Sequence, residues 1–440
     1  MTSQRESTRA QTRLGREFIK LWAASAISNL GDGVWLVAAP LLAITLTHDP
    51  ALVAGLAFTQ RLPWLIFPLI SGALADRLDR RKAMVAVTIF RSALIGILGL
   101  SVLTGLVTLP LLYVIFFLMT TAETLFDTSS AALLPIVVPS GQLTKANARL
   151  SGTMSVTNQF IGLPLGGLLF SKAAAIPFTL GAGSLAIAAG ILTTLRGSFR
   201  PGRAGGSPPA NLRTEIGDGV RWLWAHRLLR TTAVTLGILN LVLVAQVSIM
   251  VLYAEERLGV GPAGYGVLLT AYGLGGMAGG LVAERVIAVI GDGTYLRLAV
   301  IIEALIPAVI VLTTSPYVVG IALFLFGVHA IVWGAVLVSL RQELTPDSLR
   351  GRVHSAYGLI ENGTAAPGAL LGGFLAVHFG LTSPFWFSTV VALILLPFVW
   401  PAYSDEEVAR ARHEAAGGAD GSPRGLHPNG KSDNPERLCQ

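Results

Sequence analysis

The sequence predicts an all-α polytopic membrane protein with twelve transmembrane helices in two six-helix bundles. Of its 440 residues, 52% are hydrophobic and only 13% are charged, whereas about a quarter of the residues of a soluble protein are charged. Apolar runs of about 20 residues or more recur along the chain, and each is long enough to cross a bilayer. The two halves of the chain also resemble each other, which indicates a 6+6 repeat.

The apolar runs define twelve predicted spans. Spans 1 to 6 form a predicted N-terminal bundle over residues 18–195, and spans 7 to 12 form a C-terminal bundle over residues 231–402. In chain order, the predicted spans cover residues 18–47, 51–75, 83–106, 109–136, 148–171, 174–195, 231–254, 262–286, 294–314, 316–341, 353–378 and 381–402.

Three polar segments flank these bundles. Residues 1–17 are basic and form a predicted cytoplasmic N-terminal segment. Residues 196–230 form a linker that is first rich in Gly, Pro and Ser and then amphipathic with two tryptophans, which predicts a helix at the membrane interface. Residues 403–440 are polar and predict a disordered cytoplasmic tail. The single cysteine, Cys439, has no partner for an intramolecular disulfide and belongs to no Cys metal cluster.

The basic residues predict the topology. With the N-terminus in the cytoplasm, 28 of the 32 Lys and Arg residues lie on the cytoplasmic side, two lie within spans, and only Lys172 and Arg257 lie outside. This asymmetry follows the positive-inside rule and predicts cytoplasmic termini. The excess of Arg over Lys is typical of a high-GC bacterium, so we expect a bacterial plasma-membrane protein. Because the basic residues form short clusters between spans, the net charge of +7 does not indicate nucleic-acid binding.

Two pairs of stretches carry the internal repeat. GALADR at 72–77 matches GLVAER at 280–285, an offset of 208, and each stretch closes the second span of its half. LPLGGLLF at 163–170 resembles GALLGGFL at 368–375, and the paired glycines are offset by 206 within the fifth span of each half. Two matches in order at nearly one offset predict a duplicated six-helix unit.

The stretch GALADRLDRRK resembles the loop 2–3 motif of the major facilitator superfamily, G-x-L-x-D-R-x-G-R-R-K, with Asp79 in place of its second glycine. Three further stretches resemble the branch with bacterial enterobactin and macrolide exporters: SNLGDGVWLVAAPLL in span 1, AALLPIVVPSGQLTKANARLSG after span 4, and DGVRWLWAHRLLR before span 7. The resemblance covers residues 18–402 and implies a transporter that works by alternating access.

The resemblance also implies roles for individual residues. Asp76 is expected to clamp loop 2–3 against the start of span 11, residues 351–353, and so to close the cytoplasmic side. The implied gating motif comprises Gly72, Asp76, Arg77, Arg80, Arg81 and Lys82. The exporter motif of span 5 is present in altered form, with its proline displaced by one residue. The implied helix-packing residues are Gly162, Pro164, Gly166, Gly167, Gly372 and Gly373.

Ionisable residues inside spans mark candidate sites, because a charge at mid-bilayer costs at least about 2.5–3.5 kcal/mol. Asp32 and Arg61 lie at about the same depth, so they are either a buried ion pair or part of the transport cavity. Glu123 and Asp127 share one face of span 4, which suits proton uptake and release. The alternative for Asp127 is a salt bridge to Arg91.

In the C-terminal half, Glu361 and Asn362 lie in the middle of span 11, where a polar substrate would meet them. His329 is interpreted as a hydrogen-bonded packing residue, because a lone histidine on an apolar helix more often has that role.

No Walker loop, metal-ligand spacing or nucleophile elbow is present in the sequence, which predicts neither an enzyme nor a cofactor or metal. We therefore predict a proton-coupled exporter of a drug-like, siderophore-like or natural-product-like small molecule. It would act as a monomer in the lipid bilayer, with the proton gradient as its energy source. The alternatives are an importer or uniporter of a small metabolite, or a non-transporting membrane receptor or assembly partner.

Overall fold

A computed structural model describes residues 14–75, 77–197, 199 and 212–419. The regular secondary structure of these residues is helical. The helices of the N-terminal half are span 1, Arg16–Leu46; span 2, Pro50–Ile66 and Pro68–Ala75; span 3, Arg80–Leu103; span 4, Leu109–Val137; span 5, Leu143–Met154, Ser155–Gly162 and Leu163–Lys172; and span 6, Ile176–Thr193.

The C-terminal half repeats this series of six spans and adds a helix at each end. Its spans are span 7, Arg227–Leu252 with Tyr253–Arg257; span 8, Pro262–Ile290; span 9, Asp292–Leu312; span 10, Pro316–Leu344; span 11, Arg350–Phe379; and span 12, Ser383–Val399. The interfacial helix, Leu212–Ala225, precedes span 7, and the C-terminal helix, Asp405–Ala419, follows span 12.

Eight of these helices are individually long and apolar enough to cross a membrane, or nine if spans 11 and 12, which are bent by 115°, count as one broken span. Spans 2 and 5 fall outside this set because each is interrupted. Span 2 breaks before Pro68, and span 5 contains a π-helical stretch, Ser155–Gly162, followed by Pro164.

Proline and capping side chains begin many of the spans. Pro50 starts span 2, and the Asp49 carboxylate accepts a hydrogen bond from Ala51 N at 2.8 Å. Asp79 begins span 3 in the same way by accepting from Lys82 N at 3.1 Å. A proline at the first turn has no N–H to leave unpaired, and an aspartate cap satisfies one of the free N–H groups. The residue that departs from the loop 2–3 motif is therefore a helix cap.

The two halves meet along two pairs of spans. Span 2 packs against span 11, and span 5 packs against span 8. One apolar core joins the halves at the ends of these spans remote from the chain termini. There Trp35 and Phe178 of the first half belong to the same buried cluster as Tyr265 and Phe385 of the second.

The other end of the bundle, where span 1 begins and span 12 ends, is called the terminal face. Here each half has its own apolar core, centred on residues such as Phe18 and Leu192 in the N-terminal half and Leu296 and Val399 in the C-terminal half. Because the largest apolar core that joins the halves lies towards the opposite face, we infer a gap between the halves that opens towards the terminal face.

The C-terminal helix differs from the disordered tail expected over residues 403–440, of which residues 420–440 lie outside the described part. Val408 is buried against the C-terminal core, and the Arg412 guanidinium binds Asp292 and Glu343 at 2.7 Å each. Asp405 accepts hydrogen bonds from Thr294 and from Gly293 N at the start of span 9. The hydrogen bond from the Thr294 hydroxyl, supported by the backbone N–H groups, holds the pKa of Asp405 below its ordinary value.

Candidate functional site

A buried guanidinium, that of Arg91 on span 3, is the centre of the N-terminal half. Only 1% of this residue is exposed. Its Nη2 lies 3.0 Å from Asp32 Oδ1 on span 1 and 3.8 Å from Glu123 Oε1 on span 4. A guanidinium buried in this way needs carboxylate partners, because its charge has been taken out of water. Three spans are thus tied together by one ionic cluster, here called the Arg91 network.

The partner of Asp32 is therefore Arg91 and not Arg61, the partner that depth along the helices suggested. Trp35 Nε1 also donates to Asp32 Oδ1 at 2.9 Å, and Ser28 Oγ donates to Oδ2 at 3.4 Å. The carboxylate is thus held from its own helix as well as from span 3.

Glycines on either side of Asp32 bring two further spans close. A Cβ at Gly33 would lie 2.9 Å from the Asn158 Cα in the π-helical part of span 5, and a Cβ at Gly31 would collide with Ser184 on span 6. A side chain at either position would push span 1 away from its neighbours. The sequence Gly31-Asp32-Gly33 therefore places the carboxylate at a close crossing of three helices.

Exposure increases along the carboxylates from span 1 to span 4. The side chain of Asp32 is 12% exposed, that of Glu123 is 25% exposed, and Asp127, one helical turn further along span 4, is exposed. Asp127 also interacts electrostatically with Arg91, more weakly than Asp32 and Glu123 do. The network therefore extends from the core of the bundle to the gap between the halves.

Arg61 lies in a different position from the one expected. It is exposed on span 2, and Glu361 of span 11, also exposed, interacts with it electrostatically across the gap between the halves. Charged side chains at mid-span avoid lipid, so these exposed groups line the gap. Asn240 of span 7 donates to the Glu361 backbone oxygen at 2.7 Å, whereas Asn362 donates to Gly358 O within its own helix at 2.9 Å.

Of the implied gating motif, Asp76 lies outside the described residues. The Arg81 guanidinium binds the Thr193 carbonyl at the end of span 6 at 2.5 Å, and Arg80 N donates to Phe199 O at 3.3 Å. Arg77 is exposed, and a Cβ at Gly72 would meet no atom within 4 Å. Lys82 contributes the N–H that Asp79 caps. These contacts attach the loop to its own half, and the clamp against span 11 stays a prediction.

The start of span 11 has another neighbour. Gly219 of the interfacial helix lies against Arg352 so closely that a Cβ at Gly219 would be 2.7 Å from the Arg352 carbonyl oxygen. The interfacial helix therefore packs against the start of span 11, the segment to which the loop 2–3 clamp was assigned.

The motif glycines of spans 5 and 11 lie at helix crossings. Gly166 faces Val34 of span 1, and Gly372 faces Ala245 of span 7, so each contacts the first span of its own half. Gly162 likewise faces Gly33 of span 1, and Pro164 starts the helix after the π-helical stretch.

The next glycine in each pair faces the other half. A Cβ at Gly167 would be 3.0 Å from Gly266 Cα on span 8, and a Cβ at Gly373 would be 2.9 Å from Ala51 Cα on span 2. These two residues, here called the crossing glycines, allow the backbones of the two halves to touch.

Sequence reasoning missed one buried pair. Glu303 of span 9 and His329 of span 10 lie 3.4 Å apart and are each less than a tenth exposed. They are 26 positions apart in the sequence, so neither depth nor helical spacing indicated the pairing.

A family model described as transmembrane secretion effector matches residues 12–412. The chain belongs to this family. It is a major facilitator superfamily transporter, as its loop motif and internal repeat indicated, and it is a transport protein rather than an enzyme. The twelve-helix fold class is likewise confirmed.

A known efflux pump agrees with this assignment, and two solved structures share the fold. The multidrug efflux pump Tap of Mycolicibacterium fortuitum is 25% identical over 405 residues, which cover 87% of this transporter and 95% of Tap. The nucleoside transporter NupG matches with a TM-score of 0.71 at 11% identity and covers 88% of this chain and 99% of its own. A bacterial homologue of the iron transporter ferroportin in an inward-facing state matches with a TM-score of 0.67 at 16% identity, over 89% of this chain and 98% of its own.

Proposed function

We propose that this transporter exports a drug-like, siderophore-like or natural-product-like small molecule and couples export to proton entry. The terminal face is cytoplasmic in this proposal, so the gap that opens there is the inward-open entrance. The protein acts as a monomer in a bacterial plasma membrane, and the proton gradient supplies the energy. The likeness to a multidrug efflux pump over most of both chains supports the outward direction.

The observation that carries the proposal is the graded exposure of the Arg91 network. Asp127 is exposed, Glu123 one turn away on span 4 is partly exposed, and Asp32, which contacts the same Nη2 of Arg91 as Glu123 does, is the most buried of the three. A proton that enters from water can therefore reach Asp127 first and the buried groups afterwards. Such a path from solvent to a buried ion pair is what proton coupling requires.

Charge balance explains how a proton would alter the network. When all groups are ionised, three carboxylates surround one guanidinium, and two negative charges are uncompensated. Protonation of Asp127 and Glu123 removes this excess and leaves Arg91 paired with Asp32 alone. Because Glu123 then no longer attracts Arg91, the tie between spans 3 and 4 weakens. A conformational equilibrium shifts when one state binds the proton better than the other.

The lining of the gap supports an amphipathic substrate. In this proposal Arg61, Glu361 and Asn362 supply charged and amide groups, and the exposed aromatic side chains of Phe160 (44%) and Tyr272 (37%) are assigned to the apolar part of the substrate. Transporter sites near the bilayer midplane at the interface of two repeats have this composition.

Inverted membrane vesicles with an acidic interior test the proposal. We expect wild-type vesicles to accumulate a macrolide or a catecholate siderophore from a panel of both. Glu123→Gln and Asp127→Asn should abolish gradient-driven accumulation but keep ligand-induced thermal stabilisation. Asp347→Asn, which removes an exposed carboxylate outside the network, should retain both properties. Full accumulation by both network variants would contradict proton coupling through span 4, and uptake only by right-side-out vesicles would indicate an importer.

The clamp assigned to Asp76 has its own test. Asp76→Asn should shift the balance towards the inward-open state, which is measured as the labelling of single cysteines placed on the gap lining. Unchanged labelling would remove Asp76 from the gate.

A further inference from the structure

Glu303 and His329 form an isolated acid–base pair inside the C-terminal half. Glu303 is 8% exposed and His329 is 3% exposed. The Glu303 Oε1 lies 3.4 Å from His329 Nε2, an ion-pair distance, and neither His329 Nε2 nor Glu303 Oε2 has a hydrogen-bonding partner among the described residues. Two buried ionisable groups at this distance are costly to place in a membrane protein and usually have a function.

The Tyr295 hydroxyl contacts His329 at two atoms, the backbone oxygen and Nδ1. When the Tyr295 hydroxyl donates to the His329 backbone oxygen at 3.2 Å, its own oxygen accepts from His329 Nδ1–H at 3.3 Å. The other ring nitrogen, Nε2, is the one that faces Glu303. One proton between Nε2 and Oε1 then leaves the pair neutral overall, whether it resides on the imidazole or on the carboxylate.

Few other ionisable groups lie near enough to supply this proton. From span 8, Tyr272 faces the pair, and from span 9 Tyr295 does. Span 12 between 383 and 399 and span 7 between 231 and 252 contain no acidic or basic residue. The charged contacts of the C-terminal helix at Asp292 are about 16 Å away along span 9, at 1.5 Å per residue.

The internal repeat gives His329 a counterpart. Its offset from Glu123 is 206 positions, the offset that separates Gly166 from Gly372. Both residues therefore occupy the same place in the fourth span of their half. The position that carries an acid of the Arg91 network in one half thus carries a titratable base in the other.

We propose that Glu303 and His329 are a second proton-binding site, which holds one shared proton within the membrane. On release, the proton passes from the Nε2–Oε1 contact to water and leaves a carboxylate and a neutral imidazole. The site then changes from neutral to a single negative charge. This goes beyond proton-coupled export through the Arg91 network, and it is independent of the direction of transport.

Infrared difference spectroscopy on the purified full-length transporter tests the site. Spectra are recorded between about pH 4 and about pH 10, a range that covers the ordinary titration of carboxyl and imidazole groups. Among the steps in the carboxylic-acid and imidazolium bands of the wild type, we expect one that belongs to this pair. Because the proton is shared, both Glu303→Gln and His329→Gln should abolish this step or move it by about one pH unit or more. The matched variant Glu123→Gln should leave it in place.

A wild type without such a step, or a step that survives unmoved in either variant, overturns the proposal. Thermal melting of each variant shows that it is folded. If Glu303→Gln is unstable, Glu303→Asp replaces it, and the step must then move, because the carboxyl group is retained at a longer distance from the imidazole. None of these outcomes depends on the vesicle assay of the Arg91 network, so the failure of one proposal is distinguishable from the failure of the other.

Discussion

The two halves share one six-helix architecture but contain opposite kinds of ionic centre. In the N-terminal half a guanidinium, which stays charged at any physiological pH, is surrounded by carboxylates, one of which faces the gap. In the C-terminal half a single carboxylate meets a single imidazole, and both are buried. The duplicated fold thus sets the positions of the centres, while a few side chains decide their charge.

This difference has a physical consequence. Both groups of the C-terminal pair become uncharged when one proton moves from the imidazolium to the carboxylate, but Arg91 cannot lose its charge. The N-terminal centre therefore needs ionised carboxylates to balance the charge of Arg91 in every state. The C-terminal centre has no permanent charge to balance.

The largest expected effect follows from that asymmetry. Arg91→Gln should destabilise the protein by about 3–5 kcal/mol, because it leaves buried carboxylates without a partner. His329→Gln, the matched change in the other half, should cost about 1–3 kcal/mol, since Glu303 can protonate. Thermal melting of the two purified variants measures the difference. Equal losses of stability in the two variants would show that the two centres are equivalent.

A smaller effect is expected where the halves are alike. Gly167→Ala and Gly373→Ala each place a methyl group against the backbone of the other half, which should cost about 1–3 kcal/mol. Distances between spin labels on the two halves, in a Cys439→Ser background, should become more broadly distributed in both variants. Gly280→Ala is the control, because a Cβ there meets no atom within 4 Å. If only one variant responds, the two crossings are not equivalent.

The smallest effect concerns the terminal face of the C-terminal half. Asp405→Asn should lower stability by about 1 kcal/mol at neutral pH, because it removes the charged cap of span 9. Since the folded-state pKa of Asp405 is lowered, its contribution is present above the ordinary value of about 3.9 and is lost as the pH falls through the lowered one.

Melting temperatures of the wild type and Asp405→Asn should therefore converge on acidification. Glu406→Gln, a change at the exposed neighbouring residue, serves as the control and should leave the difference at neutral pH near zero. A difference in melting temperature that persists at low pH would mean that Asp405 acts through packing and not through its charge.

The parts of the fold set by periodicity and composition were predictable from the sequence. Long apolar runs gave the spans, and paired glycines at one offset gave the repeat. The partner of Asp32 was not predictable in this way. Arg61 and Arg91 are both mid-span arginines, and depth along a helix does not determine which direction a side chain faces around it.

Contacts between segments that are distant in the sequence were also not predictable. The polar composition of residues 403–440 did not indicate the C-terminal helix. The stability of this helix comes from the contacts of Val408, Asp405 and Arg412 with spans 9 and 10. His329 was interpreted as a packing residue for a similar reason, since its acidic partner lies on another span. The loop motif showed the superfamily, but it contained no information about these pairings.

The crossing glycines also restrict how the two halves can move. Gly167 lies at the contact between spans 5 and 8 and Gly373 at the contact between spans 11 and 2, and each brings one pair of backbones close together. Two fixed points define a line, and one body can turn about that line without separating from the other at either point. Sliding or twisting would break at least one contact. Two residues without side chains thus favour rotation of the halves about the line that joins them.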